Sequence, residues 1–406
     1  MVSTPSIVWV VPTVWHYHMA RMAAVNRDGV LALRAIELSR MTEFAAMAAN
    51  VGNLSSGCIR TLFTDSPPKP IPSSILRSAL EAALDEIRPD CVMAPGWSTP
   101  WAHATLAWCR LRSIPTIVCS DSQAIDAPRI WWREAIKRRI VVQFDASLAA
   151  GRRHVDYLID LGMERSRIMT AYDVVDNAHF AAGADAARAA RDEVRRRLAL
   201  PDHFFLACNR FVAKKNLAGL LQAYARYRQA QGAMARHLVL LGDGPLRESL
   251  TTLARNLSLS EFVHMPGFIG YMELPAYYGL ADAFIHASTV EQWGLVVNEA
   301  MASGLPVLVS RTCGCAPDLV EEGRNGFTFD PANPGQLASL MTRIMLPESD
   351  SPGMGRASSA IIARWSPSEF ARNLESAVAI ARRMPARPWS MADRIVIAMM
   401  MRLNLR

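Results

Sequence analysis

Short runs of aliphatic and β-branched residues alternate with longer amphipathic stretches along nearly the whole chain. Runs of this length, separated by helical patterns, are typical of parallel strands joined by crossover helices. The alternation therefore predicts an α/β protein. It restarts after roughly residue 177, and 406 residues are more than one ordinary hydrophobic core holds, so two domains are expected.

Each half of the chain resembles a Rossmann-like unit. In the first half, strands are predicted at 7–11, 31–36, 58–63, 91–94 and 116–119, and helices at 73–87, 101–112, 128–142 and 152–161. In the second half, strands are predicted at 204–208, 238–241, 262–265, 283–287 and 306–310, and helices at 217–230, 245–256, 274–280 and 295–303. Two such units facing each other across a cleft would place a ligand at the carboxyl ends of both sheets.

Composition narrows the class of protein. A formal charge of +7 suits nucleotide diphosphates, anionic lipid surfaces or nucleic acid, but no basic-aromatic module typical of nucleic-acid binding is present. The seven cysteines are odd in number and lie mostly in apolar runs, which favours reduced thiols in a cytoplasmic protein. No metal site is expected, because Cys313 and Cys315 lack a second ligand pair. Neither a signal peptide nor a transmembrane helix is predicted.

The most informative segment contains two glutamates eight residues apart, Glu291 in a loop and Glu299 inside a helix. Between them Gly294 allows a tight backbone turn at the helix start. The amides of Leu295 and Val296 are then unpaired donors at a helix N-terminus, where the dipole favours a diphosphate. Helical side chains lean toward the N-terminus, so Glu299 can reach a ribose whose phosphate sits there.

A second element contains Arg210 and Lys215, which follow the first strand of the second half and precede a helix. A departing nucleoside diphosphate needs its growing negative charge neutralised. Arg210 can hold phosphate oxygens bidentately, and Lys215 supplies a point charge beside it. Two further turns follow later strands. Gly244 lies in a turn that either contacts ligand or simply needs glycine at a helix entry, and Gly267 and Phe268 lie where a base could rest.

Together these motifs resemble retaining glycosyltransferase family 4. The pattern Glu291-x-Trp-Gly-Leu-Val-x-x-Glu299-Ala-Met-Ala-x-Gly-x-Pro, the Asn209-Arg210…Lys215-Asn216 element, Gly242-Asp-Gly-Pro and Asp318-Leu-Val…Gly323-Arg-Asn-Gly326 occur in the family's order. The resemblance is strong over 140–335 and weak before it. It implies the GT-B fold, a nucleotide-sugar donor, no metal or other cofactor, and retention of anomeric configuration.

By this resemblance Arg210 and Lys215 hold the diphosphate, Glu299 the ribose and Glu291 the donor sugar. The resemblance further implies that residues 1–178 form an acceptor-binding domain and 201–365 a nucleotide-sugar-binding domain. Residues 179–200 are expected to connect the two. Residues 366–406 are expected to form helices that pack back on the N-terminal domain.

The acceptor side departs from the family pattern. Many members have a glycine-rich loop after the first strand, whereas here residues 11–21 contain no glycine, and a frequent family histidine is replaced near Asp121. Position alone therefore suggests His16, His18, Arg21, Trp97 and Asp121 as acceptor contacts.

The expected reaction is sugar transfer to a hydroxyl of a glycan or glycolipid in bacterial surface polysaccharide or glycolipid synthesis. The alternative is a non-catalytic nucleotide-sugar-binding partner subunit. A dinucleotide oxidoreductase is disfavoured, because the G-x-G-x-x-G turn after the opening strand is absent. The basic, tryptophan-containing segment 128–139 leaves open peripheral contact with the inner face of the plasma membrane, against the alternative of a solvated basic face.

Overall fold

A computed structural model describes residues 4–39, 57–64, 71–385 and 389–402. It contains two parallel sheets with helices, which confirms the predicted α/β class. The chain divides into two compact units. The first comprises Met1–Val174 and Pro367–Arg406, and the second comprises Val175–Ser366.

The first unit is built on seven parallel strands in the order β3-β2-β1-β4-β5-β6-β7. They are β1 Ser6–Val11, β2 Ala32–Ser39, β3 Ile59–Phe63, β4 Cys91–Pro95, β5 Thr116–Ser120, β6 Ala146–Ala149 and β7 Ile168–Met169. The helices are α1 His16–Arg27, α2 Ser73–Ile87, α3 Pro100–Arg112, α4 Trp131–Val141, α5 Arg152–Asp160 and, from the C-terminal segment, α15 Pro367–Arg383 and α16 Met391–Arg402. Strand order reverses direction between β1 and β4, so this sheet has its switch point there.

The second unit is built on six parallel strands in the order β10-β9-β8-β11-β12-β13. They are β8 Phe204–Cys208, β9 His237–Leu241, β10 Val263–Gly267, β11 Ala283–His286, β12 Val307–Ser310 and β13 Gly326–Phe329. The helices are α6 Asn177–Ala189, α7 Arg191–Leu198, α8 Leu217–Gln231, α9 Arg247–Asn256, α10 Leu274–Leu280, α11 Leu295–Ala302, α12 Ala316–Leu319, α13 Pro334–Arg343 and α14 Ser351–Ile362. The switch point of this sheet lies between β8 and β11.

Every strand and helix predicted from the sequence is present, with ends that differ by at most three residues. Strands β6, β7 and β13 were not predicted. β6 reads Ala-Ser-Leu-Ala, which lacks the β-branched residues that mark a strand. β7 has only two residues. Strands β6 and β7 are therefore specified by pairing with their neighbours rather than by their own composition, whereas β13 reads Gly-Phe-Thr-Phe and is of ordinary strand composition.

Residues 179–200 are the segment predicted to connect the two domains. They lie in helices α6 and α7 of the second unit, and α6 packs closely on α10. Two glycines permit the approach: a Cβ on Gly183 would lie 2.5 Å from the Cβ of Pro275, and one on Gly279 would lie 2.6 Å from the carbonyl of Ala184. In the C-terminal segment, α15 packs on α1 and α16 on α3, both within the first unit.

Candidate active site

The predicted donor residues come from loops on either side of the switch point of the second sheet. Arg210 and Lys215 follow β8, and Glu291 follows β11, the strand beside it. Loops at such a point diverge to opposite faces of the sheet and leave a crevice at its carboxyl edge. Backbone bonds tie these loops together, since the amide of Thr289 donates to the carbonyl of Lys214 at 2.8 Å.

Three side chains, those of Lys215, His286 and Ser288, surround Glu291. Its carboxylate forms an ion pair with Lys215 and accepts hydrogen bonds from His286 Nε2 at 3.0 Å and Ser288 Oγ at 3.1 Å. His286 is fully buried at the end of β11, and the Lys215 and Glu291 side chains are only 13% and 12% exposed. The structure thus brings the predicted cation and the predicted acid into direct contact.

The surroundings of Glu291 keep it ionised. Burial opposes the charge, but hydrogen bonding and attraction from His286, together with Lys215, hold the pKa of Glu291 well below its ordinary value. Burial lowers the pKa of His286 itself. His286 Nε2 contacts the carboxylate on one side and Lys215 on the other, so the position of Glu291 is set from both sides.

Gly294 begins helix α11 in a left-handed conformation, with φ of 106° and ψ of 62°. A Cβ there would lie 3.5 Å from Glu291 Cγ and 3.6 Å from His286 Cδ2, so the helix start adjoins the Glu291 cluster. No group among the described residues accepts a hydrogen bond from the amides of Leu295 or Val296. Unpaired amides and the helix dipole make this end of α11 suited to an anion.

Glu299 lies one turn into α11 and differs from Glu291 in its environment. Its carboxylate accepts a hydrogen bond from the Tyr278 hydroxyl at 2.8 Å. Burial raises the pKa of Glu299 to about 7, with the Tyr278 hydrogen bond opposing that rise. The group is therefore poised between its acid and its carboxylate near neutral pH.

Arg210 and Lys215 differ in their availability. Arg210 is exposed at the carboxyl edge and forms no ion pair within the described part of the chain. Its guanidinium can accept an anionic partner without breaking an existing contact. Lys215 already neutralises Glu291, so an incoming diphosphate would share it with that carboxylate.

The glycines after β9 are explained by packing. A Cβ on Gly244 would lie 2.8 Å from the carbonyl of Phe211, and one on Gly242 only 1.9 Å from the carbonyl of Asn209. Of the two interpretations of Gly244, the structure therefore supports the one in which the turn itself needs glycine, since the backbone of Phe211 lies too close for a side chain. Gly267 ends β10 and accepts a hydrogen bond from the Gly242 amide at 2.8 Å.

Two other groups stand at the same edge. Phe268, next to Gly267, exposes 59% of its surface, as a residue that meets a base would. Arg247 hydrogen-bonds the carbonyls of Met265 and Gly242 and pairs with Asp243 at 2.9 Å.

Arg21 and His18, suggested as acceptor contacts, are internal. Residues from His16 onward form α1 rather than a loop, and Arg21 on it is completely buried. Its guanidinium donates to the carbonyl of Val174 at 3.0 and 3.1 Å and to Asp173 at 3.3 Å. His18 Nδ1 accepts from the amide that precedes the helix, at 2.9 Å. These side chains hold α1 in place, and their contact with an acceptor stays a prediction.

The other acceptor candidates line the carboxyl edge of the first sheet. Asp121 follows β5, and burial together with the charge of Asp173 raises its pKa to about 7. Trp97 follows β4, is 4% exposed and packs edge-on against Tyr157. His16 is the first residue of α1 and is partly exposed.

Comparison with known families agrees with this architecture. Residues 190–358 match the family described as "Glycosyl transferases group 1", and residues 58–173 match the "Glycosyl transferase 4-like domain". The chain belongs to the group 1 glycosyltransferases. The first of the two matches contains every predicted donor residue.

Two curated relatives of this glycosyltransferase are partial matches. A GDP-mannose-dependent alpha-(1-6)-phosphatidylinositol monomannoside mannosyltransferase from Mycobacterium tuberculosis is 30% identical over 186 residues, 44% of this chain and 48% of the relative. An alpha-monoglucosyldiacylglycerol synthase from Acholeplasma laidlawii is 31% identical over 121 residues, 30% of each chain. The glycosyltransferase thus spans about half the length of the first relative and about a third of the length of the second.

Solved structures extend the likeness to the whole chain. The structure of Anabaena Alr3699/HepE in complex with UDP superposes with a TM-score of 0.71 at 17% identity, covering 92% of this glycosyltransferase and 99% of that chain. Likeness at this identity shows the fold, and it confirms the GT-B fold that the motifs predicted.

Sequence reasoning missed three polar partners of the predicted donor residues. His286 and Ser288 contact Glu291, and Tyr278 contacts Glu299. A signal for two of them existed, because His286 ends a buried strand and Ser288 follows it at the carboxyl edge. Tyr278 carried no such signal, since it lies in a helix of ordinary composition.

Proposed function

We propose that this glycosyltransferase takes a sugar from a nucleoside-diphosphate donor and transfers it to a hydroxyl acceptor with retention of anomeric configuration. The observation that carries the proposal is the meeting of Lys215, Glu291 and the N-terminus of α11 at one switch point. The names of the relatives support the donor class: one is GDP-mannose-dependent, and the HepE structure holds UDP.

The diphosphate of the donor would bind the unpaired amides of Leu295 and Val296. Arg210 is exposed and available to grip its oxygens, and Lys215 adds charge from the other side. Glu299, one turn into the same helix, would accept hydrogen bonds from the ribose. The base would rest near Gly267 and Phe268, after the strand at the edge of the sheet.

The reaction would proceed on one face of the donor sugar. The acceptor oxygen bonds to the anomeric carbon on the face from which the diphosphate leaves, as the bond between that carbon and the diphosphate oxygen breaks. The acceptor proton passes to the departing diphosphate, so no protein base is needed. Glu291, ionised and fixed by His286 and Ser288, would orient the sugar through its hydroxyls.

We further propose that transfer needs no divalent metal, since Arg210, Lys215 and the α11 dipole supply the positive field that a metal would otherwise provide. Turnover with a nucleotide-sugar donor should then persist in excess EDTA. A loss of activity that Mg²⁺ or Mn²⁺ restores would contradict this part of the proposal.

The acceptor would be a glycan or glycolipid of a bacterial surface. The two relatives named above are a phosphatidylinositol monomannoside mannosyltransferase and a monoglucosyldiacylglycerol synthase, which favours acceptors that carry lipid. None of the described helices is long and apolar enough to cross a membrane.

Peripheral contact with an anionic membrane would bring such an acceptor within reach. The start of α4 and the outer face of α16 expose large apolar side chains: Ile130, Trp131, Trp132, Met391, Ile395 and Met399. Trp131 is 82% exposed. Residues 129–139 carry five cations and one acid, and tryptophan beside arginine is the composition of an interfacial surface.

The central experiment compares Arg210→Ala and Lys215→Ala with the matched control Lys214→Ala. Donors are first sorted by thermal shift with UDP-, GDP- and ADP-sugars, and turnover is then measured as release of nucleoside diphosphate. Each of the first two variants should lose about 100-fold or more in turnover, as removal of charge stabilisation does, while the control stays near wild type.

Melting temperatures within a few degrees of wild type would show that the variants fold. Near-wild-type turnover in Arg210→Ala and Lys215→Ala would overturn the mechanism. Donor binding by the wild-type chain without hydrolysis or transfer to any acceptor would favour the non-catalytic partner subunit instead.

A further inference from the structure

A second crevice lies at the switch point of the first sheet. It is a cavity of about 630 Å³ bounded by the ends of β1 and β2 and by the loop after β4. Side chains of α4 and α16 line its other side. This volume lies within the range of small-molecule sites, and the carboxyl edge at a switch point is where such sheets bind ligands.

The walls of this cavity are more apolar than a sugar-binding site needs to be. Its lining includes the apolar side chains of Leu76, Trp97, Trp101, Trp132, Ile136 and Met400. A sugar is held by convergent polar groups, whereas aromatic and aliphatic walls favour a ligand with a hydrocarbon portion. The chemistry of the walls therefore indicates an apolar chain as the occupant.

Cations lie at the side of the cavity that α4 forms. Arg133 and Lys137 both line it. Lys137 is already paired with Glu134 at 2.7 Å, but Arg133 is exposed and has no acid partner within the described ranges. An anionic group bound at this side of the cavity would form an ion pair with the Arg133 guanidinium.

Trp101 adds a polar group to the apolar wall. Its indole nitrogen is buried without a hydrogen-bond partner in the part of the chain that the structure describes. A buried indole N–H ordinarily finds an acceptor.

The surface beside the cavity points to the source of the occupant. Trp132 and Met400 line the cavity, while their chain neighbours Trp131 and Met399 are exposed. A ligand could therefore pass from an apolar phase in contact with that surface into the cavity without crossing a polar layer.

We propose that this cavity binds the lipid portion of an anionic amphiphilic acceptor, with its phosphate against Arg133. This inference rests on the proposed function, because a bound lipid is an acceptor only if the protein transfers a sugar to it. It names the class of acceptor: a phosphate-bearing lipid rather than a free sugar or an unmodified polysaccharide.

Binding is tested by calorimetry with hexyl, octyl and decyl phosphate below their micelle-forming concentrations. Each methylene that enters an apolar cavity should tighten the dissociation constant about threefold to fourfold, until the cavity is full. Inorganic phosphate should show no measurable binding, and decanol should bind more weakly than decyl phosphate. Equal binding of phosphate and decyl phosphate would overturn the proposal, as would binding independent of chain length.

Two variants locate the binding to the cavity. Ile136→Trp fills it and Arg133→Glu reverses the charge at its side, so each should weaken decyl phosphate binding at least about tenfold. Arg138→Glu, on the same helix but outside the cavity, changes the net charge equally and should bind like wild type. An equal loss in Arg138→Glu, or no loss in either cavity variant, would contradict the assignment.

Failure of this inference can be told apart from failure of the proposed function. All variants should melt within a few degrees of wild type, and they should keep nucleotide binding, which depends on the second unit. If decyl phosphate fails to bind while nucleotide-sugar turnover stands, only the lipid inference is overturned. If decyl phosphate binds but no donor is turned over, the cavity remains a lipid site and the transferase proposal fails.

Discussion

Two glutamates eight residues apart respond to their surroundings in opposite directions. Glu291 meets a cation and two hydrogen-bond donors, which hold its pKa well below the ordinary value. Glu299 meets one hydroxyl and an apolar environment, and burial raises its pKa to about 7. A glutamate is therefore ionised throughout the neutral range at position 291, whereas a glutamate at position 299 titrates within it.

Glu299→Gln is expected to stabilise the chain at pH 8 but not at pH 5. A carboxyl whose pKa is raised in the folded state destabilises that state above this pKa, and the effect vanishes below its ordinary value of 4.5. The rise in pKa from 4.5 to about 7 corresponds to a gain of about 3 kcal/mol at pH 8, measured by urea unfolding. Donor binding should weaken in the same variant, because an amide accepts fewer hydrogen bonds from ribose. A variant that is stabilised and still binds donor like wild type would contradict the proposed role.

Glu291→Gln is expected to destabilise the chain at pH 7 by about 3 kcal/mol, because it leaves the buried Lys215 charge unpaired. The pKa of Glu291 is lowered in the folded state, so the ionised group contributes stability above its ordinary value of 4.5 that is lost on acidification. The difference from wild type should therefore shrink toward pH 3.

A double-mutant cycle with Lys215→Ala checks the assignment of this energy. Residues in contact should show a coupling of about 1 kcal/mol or more in urea unfolding. Additive losses would mean that Lys215 and Glu291 act independently, and the paired arrangement would then be wrong.

At the scale of the element, helix α11 depends on a glycine that begins it. Gly294 is left-handed, a conformation that costs an L-residue about 1–2 kcal/mol. Its position also sets the direction of the free amides of Leu295 and Val296. The helix is short, so its role in the site rests on its first turn.

Gly294→Ala should lower stability by about 1–2 kcal/mol and turnover by about tenfold or more, because the strain is relieved by moving the amides that would bind the diphosphate. Gly232→Ala is the matched control. Gly232 also has a positive φ, of 57°, and a Cβ there would meet no atom within 4 Å. The control should lose similar stability and no turnover, and equal losses of turnover would mean that α11 has no special part.

At the scale of the whole molecule, the positive charge is concentrated rather than spread. Residues 129–139 alone carry a net +4 of the formal +7. This charge adjoins exposed apolar side chains on α4 and α16, both parts of the first unit. The combination favours an anionic lipid surface over a purely aqueous one.

Co-sedimentation with vesicles tests the membrane contact. Wild type should bind phosphatidylglycerol vesicles and leave phosphatidylcholine vesicles largely unbound, and binding should weaken as salt is raised. Trp131→Ser and Met399→Ser should each reduce binding severalfold. Met234→Ser, an equally exposed apolar side chain of the second unit, should bind like wild type. Equal binding to both kinds of vesicle, or binding that these substitutions leave unchanged, would contradict membrane contact through α4 and α16.

Local patterns sufficed for much of this fold. Each strand signal and each helix signal is encoded within a few consecutive residues. The same is true of Gly294, which precedes an apolar helix, and of Arg210, which follows a buried strand. Segments such as Ala146–Ala149 were missed because their strand form depends on paired neighbours rather than on their own side chains.

The sequence by itself determined the class of fold and the order of most elements, and it singled out the residues proposed for the donor side, because these rest on periodicity and on motifs confined to short stretches. Only the tertiary structure decided which of them meet. Arg21 is internal because Asp173 and Val174, about 150 residues away, close over it. Glu291 and Lys215 pair across 76 residues, and the cavity beside α4 is enclosed by six separate segments. Contacts between distant parts of a chain follow from packing in three dimensions, and no local pattern records them.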